Sequence, residues 1–285
     1  MELKHKEKLV KELYEKYPYP SRQINSAVEI TYFAEWVARV FGETKEYWKG
    51  KTILELGCGT GELACALALC GANVIAVDFS ASSIKHAKML AKKFKVEKKV
   101  EFIEKNILEL SENEFARGKN KLRAKKFDCV IALGSLHHTI NALKGFQIAC
   151  TYAKPNGLVI IGLYNKYARL RHRIKRSFLH AFAGNNIEKR ITLGEKLFGG
   201  KEKHEKNVSK NNQHGKTWSA DKYGQVHESY HSVGELMYWF RKEGIEFIAS
   251  KPKFERAVID ELKWLLEKRG AFFVMTGKRK SSKED

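Results

Sequence analysis

The stretch Ile53-Leu-Glu-Leu-Gly-Cys-Gly-Thr-Gly-Glu-Leu-Ala64 decides the fold. An apolar run enters Gly57, Gly59 and Gly61, and a segment of small residues follows (Ala64, Ala66, Ala68). Glycine at alternate positions lets a backbone turn sharply and approach a ligand where any Cβ would collide. The spacing is Gly-x-Gly-x-Gly rather than the Gly-x-Gly-x-x-Gly of a dinucleotide site. Glu55, just before the first glycine, would repel a pyrophosphate and suits a cationic ligand group.

The neighbours of this loop repeat a strand-then-helix rhythm. Val74-Ile-Ala-Val77 ends at Asp78, where a doubly wound fold places an acid to grip ribose hydroxyls. Val100-Glu-Phe-Ile103 leads to Asn106, and Phe127-Asp-Cys-Val-Ile-Ala-Leu133 leads to Gly134-Ser-Leu-His-His-Thr139. Pro155 to Tyr164 reads as a turn and a fifth strand. Gly244-Ile-Glu-Phe-Ile-Ala249 and Gly270-Ala-Phe-Phe-Val-Met-Thr276 read as two more, joined by a helix through Leu262 and Trp264. The expected fold is α/β: a Rossmann-like, doubly wound, mostly parallel sheet of seven strands with helices on both faces.

These motifs, in this order, resemble the class I S-adenosylmethionine (SAM)-dependent methyltransferases. The resemblance implies a SAM cofactor. Glu55, Gly57, Cys58, Gly59, Thr60 and Gly61 form its first motif, with Glu55 suited to the amino group of the methionine moiety. Asp78, Phe79 and Ser80 then belong at the ribose, Asn106 and Ile107 beside the adenine, and Leu133 and Gly134 at the end of the fourth strand. Outside the core, Gly162-Leu-Tyr-Asn-Lys-Tyr167, Asp221-x-Tyr-x-x-x-His-Glu, Trp239-Phe240, Ser250-Lys-Pro252 and Gly270-Ala-Phe-Phe-Val resemble a widespread subfamily of methyltransferase-domain proteins of unsettled substrate. Val226 stands where that subfamily would have proline.

Four regions are expected: an N-terminal helical extension (1–49), the SAM-binding core (50–164), a basic insertion or lid (165–231) and the completion of the sheet (232–285). Apolar positions at Leu9, Leu13 and Tyr17 predict a first helix that stops at Tyr17-Pro-Tyr-Pro20. A second helix follows from Ala27 to Phe41. The aromatic-proline elbow between them is read as a packing clamp or a wall of the pocket. Within the insertion, Tyr167 to Arg176 predicts a basic helix followed by a polar stretch. Ser232 then caps a further helix, with Glu235 at the capping-box position.

No apolar run reaches the length of about 18 residues that a membrane span needs. The charged N-terminus lacks the apolar core of a signal peptide. The five cysteines form no Cys-x-x-Cys pair, so neither a zinc ribbon nor a disulfide framework is indicated. A cytoplasmic protein is expected. The net charge of +20 is concentrated in residues 166–216 (+10), 85–99 (+6) and 117–126 (+6). Such clustering attracts RNA, anionic lipid or an acidic substrate, although 40 of the 53 basic residues are lysines, as on ordinary solvated faces.

His227-Glu-Ser-Tyr-His231 satisfies the His-Glu-x-x-His pattern, and Gly234 extends it. The third histidine position is Met237, and Ser232 starts a helix after the motif instead of through it. A zinc protease is therefore rejected, and no metal site is assigned. His137 and His138, at the carboxyl end of the fourth strand, are the first candidates for a general base. His227, Glu228, Tyr230 and His231 are the second set, if the insertion folds over the pocket; Tyr164 and Asn165 are further candidates for shaping the acceptor site.

The chain lacks the Asn/Asp-Pro-Pro-aromatic tetrapeptide of amino-group methylation and the Pro-Cys nucleophile of cytosine C5 enzymes. Leu136-His-His instead resembles enzymes acting on small molecules. The leading expectation is a SAM-dependent methyltransferase of a small or medium-sized metabolite. The alternatives are an RNA (tRNA or rRNA) methyltransferase holding phosphates with the basic segments, and a SAM-binding subunit without catalysis.

Overall fold

The computed structural model describes residues 2–116, 122, 124–199 and 213–281. Two helices precede the sheet, α1 (Glu2–Lys16) and α2 (Ala27–Val40). The Tyr17-Pro-Tyr-Pro20 elbow separates them, and Ser26 caps α2 by accepting from the Glu29 N–H. The core then alternates: β1 (Thr52–Leu56), α3 (Glu62–Leu69), β2 (Asn73–Asp78), α4 (Ala81–Phe94), β3 (Val100–Glu104), β4 (Phe127–Leu133), α5 (Ala142–Tyr152) and β5 (Ala153–Tyr164). After β5 come α6 (Leu170–Ala183), α7 (Ile187–Phe198) and α8 (Gln213–Ser219). The chain finishes through α9 (Val233–Lys242), β6 (Ile245–Lys251), α10 (Ala257–Leu266) and β7 (Phe272–Arg279).

Seven strands form one sheet in the order β3-β2-β1-β4-β5-β7-β6. The pairs up to β5 are parallel, and β7 runs antiparallel to both β5 and β6. Strand alternation divides the apolar residues between two cores. Ile53, Val74, Ala76 and Ile131 face the side covered by α2, α3 and α4. Leu54, Ile75, Val130 and Val159 face α5 and α9. The direction of winding reverses between β1 and β4, which opens a crevice at their carboxyl ends.

The insertion is more helical than the sequence suggests. The basic helix expected at Tyr167 begins at Leu170, because the Tyr167 and Ala168 N–H groups turn onto Asn165 Oδ1. It continues to Ala183, and α7 follows at once. Ser232 caps α9 as expected, but the Glu235 carboxylate meets the His231 ring 3.0 Å away. Segment 85–99 lies on α4 and the turn after it. Residues 117–121, 123 and 200–212 of the other two basic segments lie outside the described residues.

Candidate active site

The three loop glycines meet three different demands. All have positive φ, which a side chain disfavours. A Cβ on Gly57 would sit 2.2 Å from the Ser135 Cβ, so this glycine lets the ends of β1 and β4 converge. A Cβ on Gly61 would sit 2.7 Å from the Ala87 Cβ, where α3 and α4 pack. At Gly59 the obstacle is the Tyr19 carbonyl oxygen, 2.3 Å from a Cβ, so the elbow is laid on the loop. Thr60 N donates to that same oxygen at 3.2 Å. Ser21 N in turn donates to Thr60 Oγ1 at 2.9 Å.

Under the elbow and α1 lies a cavity of about 600 Å³. Its walls include Glu55, Gly57, Cys58, Gly59, Asp78, Phe79, Asn106, Ile107, Leu133 and Gly134 from the expected cofactor set. Thr60, Gly61 and Ser80 stand behind that wall. Thr60 holds Glu62, and Ser80 caps α4. Five carboxylates line this space, and Glu55, Glu62 and Asp78 come from β1, the start of α3 and the end of β2, around the glycine loop. Glu55 is buried, its Oε2 has no hydrogen-bond partner, and burial with Glu62 and Asp78 nearby pushes its carboxyl well up. Burial raises Asp78 to about 6 against the hydrogen bonds from Ser80 and Gly59 N–H. Burial likewise raises Glu62.

The far wall holds His138, in a 3-10 turn (Leu136–His138) after β4. Its Nδ1 lies 3.2 Å from the His227 carbonyl oxygen, which can only accept. The proton is therefore on Nδ1, and Nε2 is left as the basic nitrogen. Burial lowers the pKa of the ring, with Asp221 and Glu228 opposing, so it is neutral at pH 7. Tyr14 and Tyr164 set their ring edges against it at 6.0 and 5.6 Å. His137 is placed otherwise. It is fully buried behind the wall, its ring tilted 33° against Tyr164 with the centroids 3.7 Å apart, and neither ring nitrogen has a partner.

A family model described as Methyltransferase domain matches residues 48–244. The chain belongs to this family. The ubiquinone biosynthesis O-methyltransferase of Rickettsia canadensis (strain McKiel) is 34% identical over 114 residues, 40% of this chain and 43% of that protein. That of Histophilus somni (strain 2336) is 28% identical over 116 residues, 41% of this chain and 46% of that protein. The chain thus spans less than half the length of these curated relatives. Among solved structures, magnesium protoporphyrin IX methyltransferase from Synechocystis PCC 6803 with bound SAH has a TM-score of 0.57 at 14% identity, covering 96% of this chain and 99% of that one. The 1,6-didemethyltoxoflavin-N1-methyltransferase of Burkholderia thailandensis has 0.54 at 13%, covering 98% and 91%. At these identities the likeness is one of fold.

In this methyltransferase-domain protein, residues 227–231 contribute backbone to the site. None of His227, Glu228, Tyr230 and His231 lines the cavity. The run is not helical, and its last residue, His231, bridges to Asn165 just after β5. His231 N donates to the Tyr164 carbonyl at 2.9 Å and Ser229 N to the His137 carbonyl at 2.8 Å. The segment thus braces the turn that carries His138. The His231 ring is held by Glu235 and Ser229, 3.0 and 2.8 Å away. Among the described residues, no group of three or more His, Cys, Asp or Glu side chains is placed to hold a metal.

Glu228 is the anchor of a buried ion cluster. Its side chain has no exposure and lies 3.4 Å from both Arg169 and Arg176, and Tyr230 donates to it at 2.6 Å. Burial pushes its carboxyl up, and the two arginines outweigh that and hold it below the usual range. Asn165 is equally committed, donating to Glu261 at 2.6 Å in the interior.

Further wall residues lie outside the candidate site set, although Tyr19, Ser135, Asp221 and Phe272 fall in motifs quoted above and the elbow of Tyr19 is read there as a possible wall. Tyr14 donates to Asp221 at 3.0 Å, and Gln225 bridges the two. Tyr19, Ser135 and Phe272 also line the cavity. The helix expected from Leu9, Leu13 and Tyr17 is α1, and the face it turns to the cavity carries Glu7, Val10 and Tyr14. Leu13 is buried, while Tyr17 reaches Glu188 of α7.

Proposed function

We propose that this chain is a SAM-dependent methyltransferase that acts on a small or medium-sized metabolite. The observation that carries the reading is the continuity of one cavity, from Glu55, the glycine loop and Asp78 to His138. SAM supplies a methyl group already activated on a cationic sulfonium. The residues fit such a group: burial disfavours the charged forms of Glu55, Glu62 and Asp78, Glu62 and Asp78 also repel the Glu55 carboxylate, and a cation beside them relieves both. Gly57 lets β1 and β4 converge and Gly59 lets the elbow lie on the loop, which shapes this end of the cavity. Asp78 would accept from ribose hydroxyls, and Asn106 with Ile107 would stand beside the adenine.

His138 is the general base. Its Nε2 takes the proton of the acceptor as the methyl group arrives, and the His227 carbonyl stabilises the imidazolium through Nδ1. Tyr14, Tyr164 and the α1 lid exclude water and fix the approach of the acceptor. The names of the relatives, a ubiquinone biosynthesis enzyme and a didemethyltoxoflavin methyltransferase, support a low-mass acceptor. A cytoplasmic location belongs to the same reading, supported by five free cysteines.

Incubation with methyl-labelled SAM and an extract of the source cells tests this function. Label in the low-mass fraction, insensitive to ribonuclease, is expected. Label in polymer that ribonuclease releases would establish the RNA alternative, although Arg169, Arg176 and Arg190 of the basic insertion face inward. Binding of SAM with no label transferred would make the chain a non-catalytic subunit.

A further inference from the structure

Helix α6 is inside out. An amphipathic helix of a globular protein turns its apolar stripe to the core and its charges to water. Here Leu170, Ile174, Phe178 and Phe182 recur every fourth residue and are 42%, 63%, 41% and 71% exposed. The opposite face carries His172, Arg176, Leu179 and His180. Arg176 meets the buried Glu228, and His180 meets the Arg190 guanidinium 2.8 Å away. The interior partners of α6 are thus largely polar, and its apolar residues are left outside.

The outward patch is continuous with α7. The Phe178 and Phe182 rings lie 4.4 Å apart, Phe198 lies 6.4 Å from Phe178, and Leu197 is 49% exposed. Contiguous exposed apolar area of this kind marks an interaction surface. Its charge identifies the partner. Helix α6 contains no acidic residue, and Arg171 and Lys175 flank the stripe. Lys175 Nζ sits 5.0 Å over the Phe198 ring. On α7, Glu188 is tied to Lys16 and Tyr17, and the exposed Glu195 is followed directly by Lys196, so the α6–α7 face stays net basic. Aliphatic and aromatic side chains framed by cations match the boundary between acyl chains and anionic headgroups. RNA would match the cations but has no use for Leu170 and Ile174.

We infer that the outward face of α6, with Leu197 and Phe198 of α7, docks this protein on an anionic lipid bilayer. It lies on the surface, since among the described residues no helix is long and apolar enough to cross a membrane. The stripe begins one residue after Arg169, whose guanidinium stacks 3.4 Å from the Tyr164 ring in the cavity wall. The docking face and the cavity are therefore joined by a short, packed connection. The inference stands apart from the methyl-transfer reading and is tested without activity.

The test is co-sedimentation of the full chain with vesicles of phosphatidylcholine alone and of phosphatidylcholine mixed with phosphatidylglycerol. The wild type is expected to pellet with the mixed vesicles and to be released by salt. Phe178→Ser/Phe182→Ser and Arg171→Glu/Lys175→Glu should each weaken binding at least tenfold without lowering the melting temperature, because these side chains point outward. Unaltered vesicle binding by the serine variant would overturn the inference. So would a wild type that ignores both vesicles. Binding of a fluorescent RNA oligonucleotide in place of vesicles would assign the face to nucleic acid. Self-association that the serine variant abolishes, without vesicle binding, would assign it to a protein interface.

Discussion

His138 Nδ1 lies 3.2 Å from the main-chain carbonyl oxygen of His227, so one candidate histidine is oriented by the backbone of another. The contact sets the tautomer and leaves Nε2 basic toward the cavity. It also separates two residues that look alike in sequence: one offers a side chain, the other a peptide group.

His138→Ala should lower turnover by about 100-fold or more, within the range of general-base catalysis, and leave SAM affinity nearly unchanged. His227→Ala keeps the carbonyl and should stay within about threefold of wild type, as for substitutions outside a critical contact. Because burial lowers the His138 pKa from 6.5, the base remains neutral at pH 7. The rate should fall only as pH drops below the ordinary histidine range, and the alanine variant should lack that limb. Equal loss of turnover and SAM affinity in the His138 variant would make it structural.

Asp78 shows a conflict between stability and binding. Its carboxylate accepts from Gly59 N and Ser80 N, yet burial raises it from 3.8 to about 6. The neutral acid is favoured in the fold, so this contribution to stability is full below pH 3.8 and lost as pH rises through about 6. The difference is on the order of 3 kcal/mol at neutral pH. Asp78→Asn carries no titrating group, so it should lack the wild type's loss of apo stability as pH rises through about 6. It should also cut SAM affinity at least ~10-fold, since a charged acceptor of ribose hydroxyls is lost. Calorimetry showing unchanged affinity would place the ribose elsewhere.

Gly57→Ala should destabilise the fold by about 2–4 kcal/mol, combining a left-handed backbone with overpacking. The residue has φ +78, and the new methyl group would meet Ser135 Cβ at 2.2 Å. Ser135 cannot simply swing aside, because its Oγ donates to the Leu56 carbonyl at 2.6 Å. A denaturant melt of Gly57→Ala indistinguishable from wild type would refute this packing.

Glu228→Ala leaves Arg169 and Arg176 partly buried without their carboxylate, a loss of about 3–5 kcal/mol. The depressed carboxyl contributes stability above pH 4.5 that disappears as pH falls through its folded value. Glu228→Gln should accordingly melt lower at pH 7 and lose the wild type's extra sensitivity to acid. A variant with normal stability and no turnover would restore Glu228 as a catalytic group.

The sequence by itself determined what depends on local backbone chemistry. Gly57, Gly59 and Gly61 announce a tight turn because only glycine tolerates their conformation at such contacts, and Asp78 follows from the length of one strand-helix-strand unit. Strand alternation likewise gave the sheet and its two covered faces.

Tertiary structure decided what depends on which surfaces meet. Tyr14 and Asp221 share a hydrogen bond across 207 residues; Asp221 opens a motif legible in the sequence, but nothing local to Tyr14 marks it as a wall of the cavity. Apolar spacing predicts the first helix but not its orientation; the face it turns to the site carries Glu7 and Tyr14, which find polar partners there. His227 to His231 reads as a set of side chains and folds as a brace of peptide groups, because main-chain pairing with β5 leaves no trace in residue type. Helix α6 completes the contrast: its periodicity is visible in the sequence, but only packing against Glu228 and Arg190 shows that the apolar face turns outward.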